Sequence, residues 1–485
     1  MNMVRAVTYG DLTARLGALA TGVGFVVSVA ALPVAVTSGG IRWGFGETAI
    51  RLDSVAVLML MLVLGLSALI QSFAVRYLRS DSRQLWFVAA ATLLTGFTGL
   101  MVCAGSVAVF VVGWIGAGIA LVLLLGTYRH LPQARQGVER TAIRFLISDG
   151  GLLVAVIVVM VAGNGDVSFE RLGAVTAALP IQLQLTVAVL MVTAALARCS
   201  QIPFEGWLPF TLAAPTPVSA LMHAGVVNGG AILLLRFAPT VAEHKIVMIL
   251  VLVSGAATMV YASAVRMVRA DVKGRLVFST MAQMGFMIMV CGLGLYSAAI
   301  FHLIAHSLYK SALFLGAGMG VREKAVDRDL PSRRPTSAAK IAATVALAVT
   351  VPAAGLIGAK IVLSPAMSEA SLGLLGFVAI TASVAVAHAL VTNFTARTIF
   401  VGAVAVGVLA FGYVAFLHLF TEVLEPVSGL TAAPAWLLVF PACALLVVQV
   451  LAFNPNSIAR MRNVVFTRSL TSTVSRPLPA TAGVS

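Results

Sequence analysis

Charge is scarce in this 485-residue chain: Asp, Glu, Lys and Arg together make up 10% of it, and only 17 residues are acidic. So few charges cannot cover the surface of a water-soluble protein of this length. Cysteine is thin as well. Cys103, Cys199, Cys291 and Cys443 stand far apart without a CxxC pair, which argues against a disulfide framework, a metal site or iron–sulfur ligation. There is no Walker loop, and no dinucleotide fingerprint in a strand-to-helix setting. Energy from ATP or a redox cofactor would therefore have to come from another polypeptide, and the chain is read as a transport subunit without cofactor, metal or catalytic residues of its own.

What is abundant is hydrocarbon: 60% of the residues are hydrophobic and the mean hydropathy is +1.03. The expected class is an all-α polytopic membrane protein. Apolar runs of about 20 residues predict about fourteen transmembrane helices. They lie near 13–38, 53–75, 85–104, 106–127, 142–162, 180–198, 216–236, 245–265, 274–293, 297–320, 338–358, 371–391, 397–420 and 434–453. The first run is too long for a signal-peptide core and is kept as a helix. A net charge of +15 could suggest nucleic acid, but the placement of the charges argues otherwise. With a cytoplasmic amino terminus and alternating helices, the outer side receives only Arg42, Arg51, Arg171, Lys245 and Lys360. Arg198, Arg236 and Lys310 fall within helices or at their ends, and every other Lys and Arg falls on the cytoplasmic side. This positive-inside pattern predicts a multi-pass protein of the cell (inner) membrane with both termini in the cytoplasm.

Two helices are expected to break. The one ending at Ala197 runs into RCSQIPFEGWLPFTLAAPTPVSAL, where Pro203, Pro209, Pro215 and Pro217 forbid a continuous helix. The one ending near Gly358 runs into AKIVLSPAM, with Lys360 at the interruption. Each break is the fourth helix of a five-helix unit, 85–236 and 245–391, and an odd helix count would give the two units opposite orientations. Inverted repeats with broken helices are a transporter architecture; ordinary loops also contain Pro and Lys. The predicted organisation is N-terminal helices over 1–84, the two repeats, C-terminal helices over 392–453, and a mobile cytoplasmic tail, 454–485. The long polar connection 321–340 is expected to be cytoplasmic, serving for orientation or for docking.

Ionisable residues inside membrane helices cost several kcal/mol unless they face a partner or water. The segment FHLIAHSLYKSALF carries His302, His306 and Lys310 at i, i+4 and i+8, one column on one helix face. Asp149, Arg198, His223 and Lys360 complete a string that reads as a proton or cation relay, since imidazole accepts on one nitrogen and donates from the other. For any one of these histidines taken singly a structural hydrogen bond is the better reading; three on one face favour the relay, because a column of polar groups packs poorly unless wetted. HLIAH lacks the Glu of a zinc helix, and Lys310 would repel a divalent cation.

Two blocks carry a resemblance. RCSQIPFEGWLPFTLAAPTPVSALMHAGVVNGG and VRADVKGRLVFSTMAQMGFMIMVCGLGLYSAAIFHLIAHSLYKSALFLGAG are similar to the signature blocks of the proton-translocating membrane subunits of NADH:quinone oxidoreductases, Mrp-type antiporters and membrane-bound hydrogenases. Within that superfamily, APTPVSALMHAGVVNGG, AQMGFMIMVCGLG and AHSLYKSALFL most resemble the DabB membrane subunits of inorganic carbon pumps. The resemblance implies a cation-conducting subunit that uses H⁺ or Na⁺ to drive CO2 hydration on a large zinc-binding cytoplasmic partner of the DabA type, related to β-carbonic anhydrases. It places the broken-helix cation on Arg198, the next polar position on His223, the central relay on His302, His306 and Lys310, and the second broken-helix cation on Lys360. One departure stands out: Ile115 replaces the Glu that respiratory members carry between Trp and Gly. Without that carboxylate to modulate Arg198, a respiratory half-channel is disfavoured. A hydrogenase or respiratory proton pump, an Mrp-like antiporter and a non-conducting scaffold remain as alternatives.

Overall fold

The computed structural model describes residues 2–44, 49–165, 167–316, 338–363, 368–392, 395–423 and 431–453. Most of 321–340 and the whole of 454–485 lie outside the described residues. Among the described residues, twelve helices are long and apolar enough to cross a membrane, and the shorter apolar helices Glu369–Val384 and Ala435–Gln449 occupy two further predicted segments. The chain is an all-α multi-pass membrane protein.

The helices are α1 (Asn2–Ser38), α2 (Ser54–Tyr77), α3 (Gln84–Val102), α4 (Val107–Leu125), α5 (Pro132–Ala162), α6 (Phe169–Ala177) and α7 (Ile181–Arg198). They continue as α8 (Thr216–Ala224), α9 (Gly229–Arg236), α10 (Ala238–Val241), α11 (Lys245–Val268), α12 (Val272–Gly292) and α13 (Tyr296–Leu315). Last come α14 (Ala338–Leu363), α15 (Glu369–Thr392), α16 (Ala396–Val423) and α17 (Val439–Phe453). Polar residues set several starts. Asp53 caps α2 by accepting the Ala56 amide at 2.7 Å, Ser106 caps α4 through the Val109 amide, and Asp271 caps α12 through the Gly274 amide at 2.6 Å. α5 begins at Pro132, ten residues before the expected 142, because proline suits a first helical turn and the polar stretch QARQGVER extends the helix beyond its apolar part.

The first expected break is present. After Arg198 the chain leaves the α-helix, passes Ser200 in the left-handed region and the cis Ile202–Pro203 bond, and runs as a 3₁₀ helix over Glu205–Ala213 before α8. Backbone groups freed in an apolar medium must find partners, and they do. The Ile202 amide donates to Thr258 Oγ1 at 2.9 Å, Ser254 Oγ donates to the Ile202 carbonyl at 2.5 Å, and Trp207 Nε1 donates to the Ala197 carbonyl at 3.0 Å. α8 and α9 form one span with a kink: Gly225 departs from the regular α-helix, and Asn228 Nδ2 donates to the buried Ala224 carbonyl at 2.8 Å.

At the second site the expectation needs correcting. α14 runs unbroken through Gly358 and Lys360 to Leu363, so Lys360 sits on regular helix and the interruption is not at the lysine. Nothing in AKIVL opposes helix formation; Pro365 lies outside the described residues. Packing divides likewise. One continuous core joins Ala14 of α1 and α2 to α13 with Leu374 and Phe377 of α15 and with α17, whereas Leu356, Ala359, Leu375, Ala410 and Val414 form a small second cluster among α14, α15 and α16.

Candidate functional site

The geometry starts at Asp149 on α5. Beside it, Ser148 donates to the Ala194 carbonyl of α7 at 3.0 Å, which fixes α5 against α7 one residue from the acid. Asp149 Oδ1 then accepts from Arg198 Nη2 at 2.5 Å and from Trp114 Nε1 at 2.9 Å. The guanidinium is 2% exposed and lies over two rings, 4.3 Å from the Trp114 centroid and 4.2 Å from that of Phe145. This is a dense cage for a cation, with a carboxylate and aromatic faces offsetting its desolvation. Gly118 completes it: a Cβ there would stand 3.0 Å from both terminal nitrogens of Arg198. Arg198 Nε has no hydrogen-bond partner among the described residues.

The second half lies between α8 and α13. His223 is fully buried, its ring parallel to Phe314 with centroids 4.4 Å apart. On α13 the His302 and His306 rings stand 6.1 Å apart, one turn from each other, with Phe286 4.8 Å from His302. Lys310 is fully buried, and Nζ reaches the Leu276 carbonyl of α12 at 3.3 Å. Both ring nitrogens of His223 and of His306, and Nε2 of His302, lack partners among the described residues. Buried imidazoles in this state are the groups that internal water would bridge.

A residue not singled out from sequence joins the halves. Asn228, in the kink between α8 and α9, donates to Ser307 Oγ at 2.8 Å, and Ser307 lies between His306 and Lys310 on the chain. Its neighbour Gly229 packs against Trp114 and the Arg198 side chain. The order in space is therefore Asp149, Arg198, the Gly229–Asn228 kink, Ser307 and the His306–Lys310 column. A polar Asn beside GG in an apolar helix was the available signal. Lys273 is a second missed residue: its ammonium donates to the Leu212 carbonyl at 2.7 Å and to that of Ala214, holding the end of the 3₁₀ segment. Lys360 is not brought into this group; α14 packs mainly on α15 and α16.

A family model described as NADH:quinone oxidoreductase/Mrp antiporter, transmembrane, matches residues 104–385. The chain belongs to this family. A second model, described as the N-terminus of complex I chain 5, matches residues 46–88. Among curated relatives of the NADH:quinone oxidoreductase/Mrp antiporter family, a probable inorganic carbon transporter subunit DabB1 of Halothiobacillus neapolitanus is 35% identical over 290 residues, 59% of this chain and 51% of the relative. An NADH-ubiquinone oxidoreductase chain 5 of Podospora anserina is 31% identical over 290 residues, 60% of this chain and 44% of the relative. The chain thus spans about half the length of the curated relatives it matches. In fold it is similar to a chain of the Mrp complex of a Dietzia species, with a TM-score of 0.61 at 22% identity over 98% of this chain and 61% of that one. The family match contains the breaks after Arg198 and at Gly225, together with Asp149, His223, the α13 column and Lys360.

Proposed function

We propose that this chain is the cation-conducting membrane subunit of an inorganic carbon uptake complex of the inner membrane, with H⁺ as the cation. The observation that carries the reading is the polar track from Asp149 and Arg198 through Asn228 and Ser307 to His306 and Lys310, buried inside a family of transporter and antiporter-like subunits. The DabB relatives supply the carbon-transport part of the proposal. Arg198 keeps its proton and acts as a fixed charge whose field Asp149 partly cancels. His223, His302, His306 and Lys310 are the groups that exchange protons, and Lys360, half-buried on α14 and outside this group, would be a separate cation-exchanging position. CO2 hydration would take place on a zinc-binding cytoplasmic partner of the DabA type, to which proton flow is coupled.

The test is growth in ambient air of a carbonic-anhydrase-deficient bacterium expressing the chain with its genomic neighbour. Rescue by wild type that is lost in Lys310→Ala and His306→Ala at unchanged protein level is the expected result. Rescue that survives both would make the column structural, and no rescue by wild type would favour a respiratory or antiporter complex.

A further inference from the structure

Away from the relay, α1 and α2 enclose an open groove of about 980 Å³. Its floor is low because Ala18 and Gly22 of α1 face Ala68 and Ser72 of α2, side chains too small to fill the space between the helices. One end is cationic, formed by Arg15, Arg76 and Arg79. The rest is apolar, and Leu19, Val23, Val26 and Val27 along it are each more than half exposed. From Arg15 to Val27 the helix rises about 18 Å at 1.5 Å per residue, close to the ~15 Å hydrocarbon depth of a single leaflet. The charges are only partly answered within the protein. Arg15 pairs with Asp11 at 2.9 Å, while Arg76 and Arg79 are exposed and have no ion-pair partner among the described residues.

We propose that this groove binds one anionic phospholipid, its phosphate held by Arg15, Arg76 and Arg79 and an acyl chain lying along Gly22 to Val27. Guanidinium groups suit phosphate oxygens, and basic clusters beside membrane helices attract anionic headgroups. The leaflet-deep apolar run separates this occupant from a free anion, which would use only the mouth of the groove. A zwitterionic lipid would bring an ammonium to a cluster of guanidinium groups that already carries excess positive charge.

The experiment is native mass spectrometry of the full chain reconstituted in bilayers of equal phosphatidylglycerol and phosphatidylcholine. Wild type is expected to retain phosphatidylglycerol over phosphatidylcholine by about tenfold, a ratio equivalent to about 1.4 kcal/mol. The double variant Arg76→Ala/Arg79→Ala should bring the ratio near unity without changing the thermal unfolding midpoint, since both side chains are exposed, and Arg76→Lys/Arg79→Lys should keep most of the preference. Equal retention of the two lipids by wild type, or an unchanged preference in the alanine variant, would overturn the proposal. So would displacement of the lipid by soluble glycerol phosphate, which would identify a free-anion site.

Discussion

The guanidinium of Arg198 is held by one carboxylate and two aromatic faces, and its pairing decides how its charge would act on the proposed relay. Removing only the carboxylate leaves a buried cation uncompensated, which costs about 3–5 kcal/mol. Asp149→Asn is therefore expected to destabilise the protein by about that much, seen as a lower thermal midpoint in detergent, and to slow proton flux. Adding Arg198→Met should recover most of the stability and none of the flux; a double variant as unstable as the single would contradict the pairing. Sequence alone identified both residues as costly intramembrane charges but could not pair them, because they lie on separate helices. Ile115 made Arg198 look bare, and the structure supplies the missing carboxylate from α5 instead. Asn228 escaped notice because an uncharged amide in an apolar run carries little weight until its partner Ser307 is seen.

Among the elements, α11 and α12 approach so closely that glycine is required at the contact. A Cβ on Gly285 would meet the Gly255 carbonyl oxygen at 2.6 Å and the Met259 amide at 2.7 Å, both backbone atoms that cannot step aside. Gly285→Leu should push α11 and α12 apart and lower stability by about 3 kcal/mol or more, measured as loss of folded protein on size-exclusion chromatography. The same pair braces the broken helix, since Ser254 and Thr258 of α11 satisfy Ile202 and Lys273 of α12 satisfies Leu212 and Ala214. Lys273→Met is expected to leave the spans in place while loosening residues 205–213, read as faster amide hydrogen exchange there. Prolines made the first break legible. The break expected at Lys360, with Pro365 beyond it, gives way to regular helix as far as Leu363, since a lysine on an apolar helix does not interrupt it, and α5 begins earlier than its apolar run because polar residues also form helix.

Across the whole molecule, Asp53 and Arg236 tie the N-terminal helices to the end of α9. The contact is bidentate, with Arg236 Nη1 at 2.6 Å and Nη2 at 2.9 Å from the carboxylate, and both side chains are largely buried. Asp53 lies one residue before the membrane-spanning part of α2. Burial alone would raise its pKa; the Arg236 hydrogen bonds and charge, the Ala56 amide and Arg51 together outweigh that and hold the carboxyl below its ordinary 3.8. The folded state thus binds this proton less readily than the unfolded chain, so the pair's contribution is complete above pH 3.8 and is lost as pH falls through the lowered value. Asp53→Asn keeps the helix cap, should cost about 3 kcal/mol at neutral pH, and should remove this part of the acid sensitivity in a thermal-unfolding series against pH. The hairpin of Ile41–Trp43 and Ile50–Leu52 follows the same logic: Arg42 and Arg51 stand opposite each other on its paired strands, and Glu170 bridges both at 3.1 and 3.4 Å. The multi-pass class was legible from hydropathy, whereas these long-range clamps join residues more than a hundred positions apart and leave no local pattern.

The central claim is that Lys310 exchanges a proton and does more than carry a charge. The most direct measurement is labelled bicarbonate accumulation by carbonic-anhydrase-deficient cells expressing the complete complex, comparing wild type with Lys310→Arg. Guanidinium retains the positive charge but holds its proton, so accumulation in the variant should fall to the level of cells lacking the complex at equal protein abundance. Accumulation equal to wild type would show that a fixed charge suffices at position 310 and would contradict the relay.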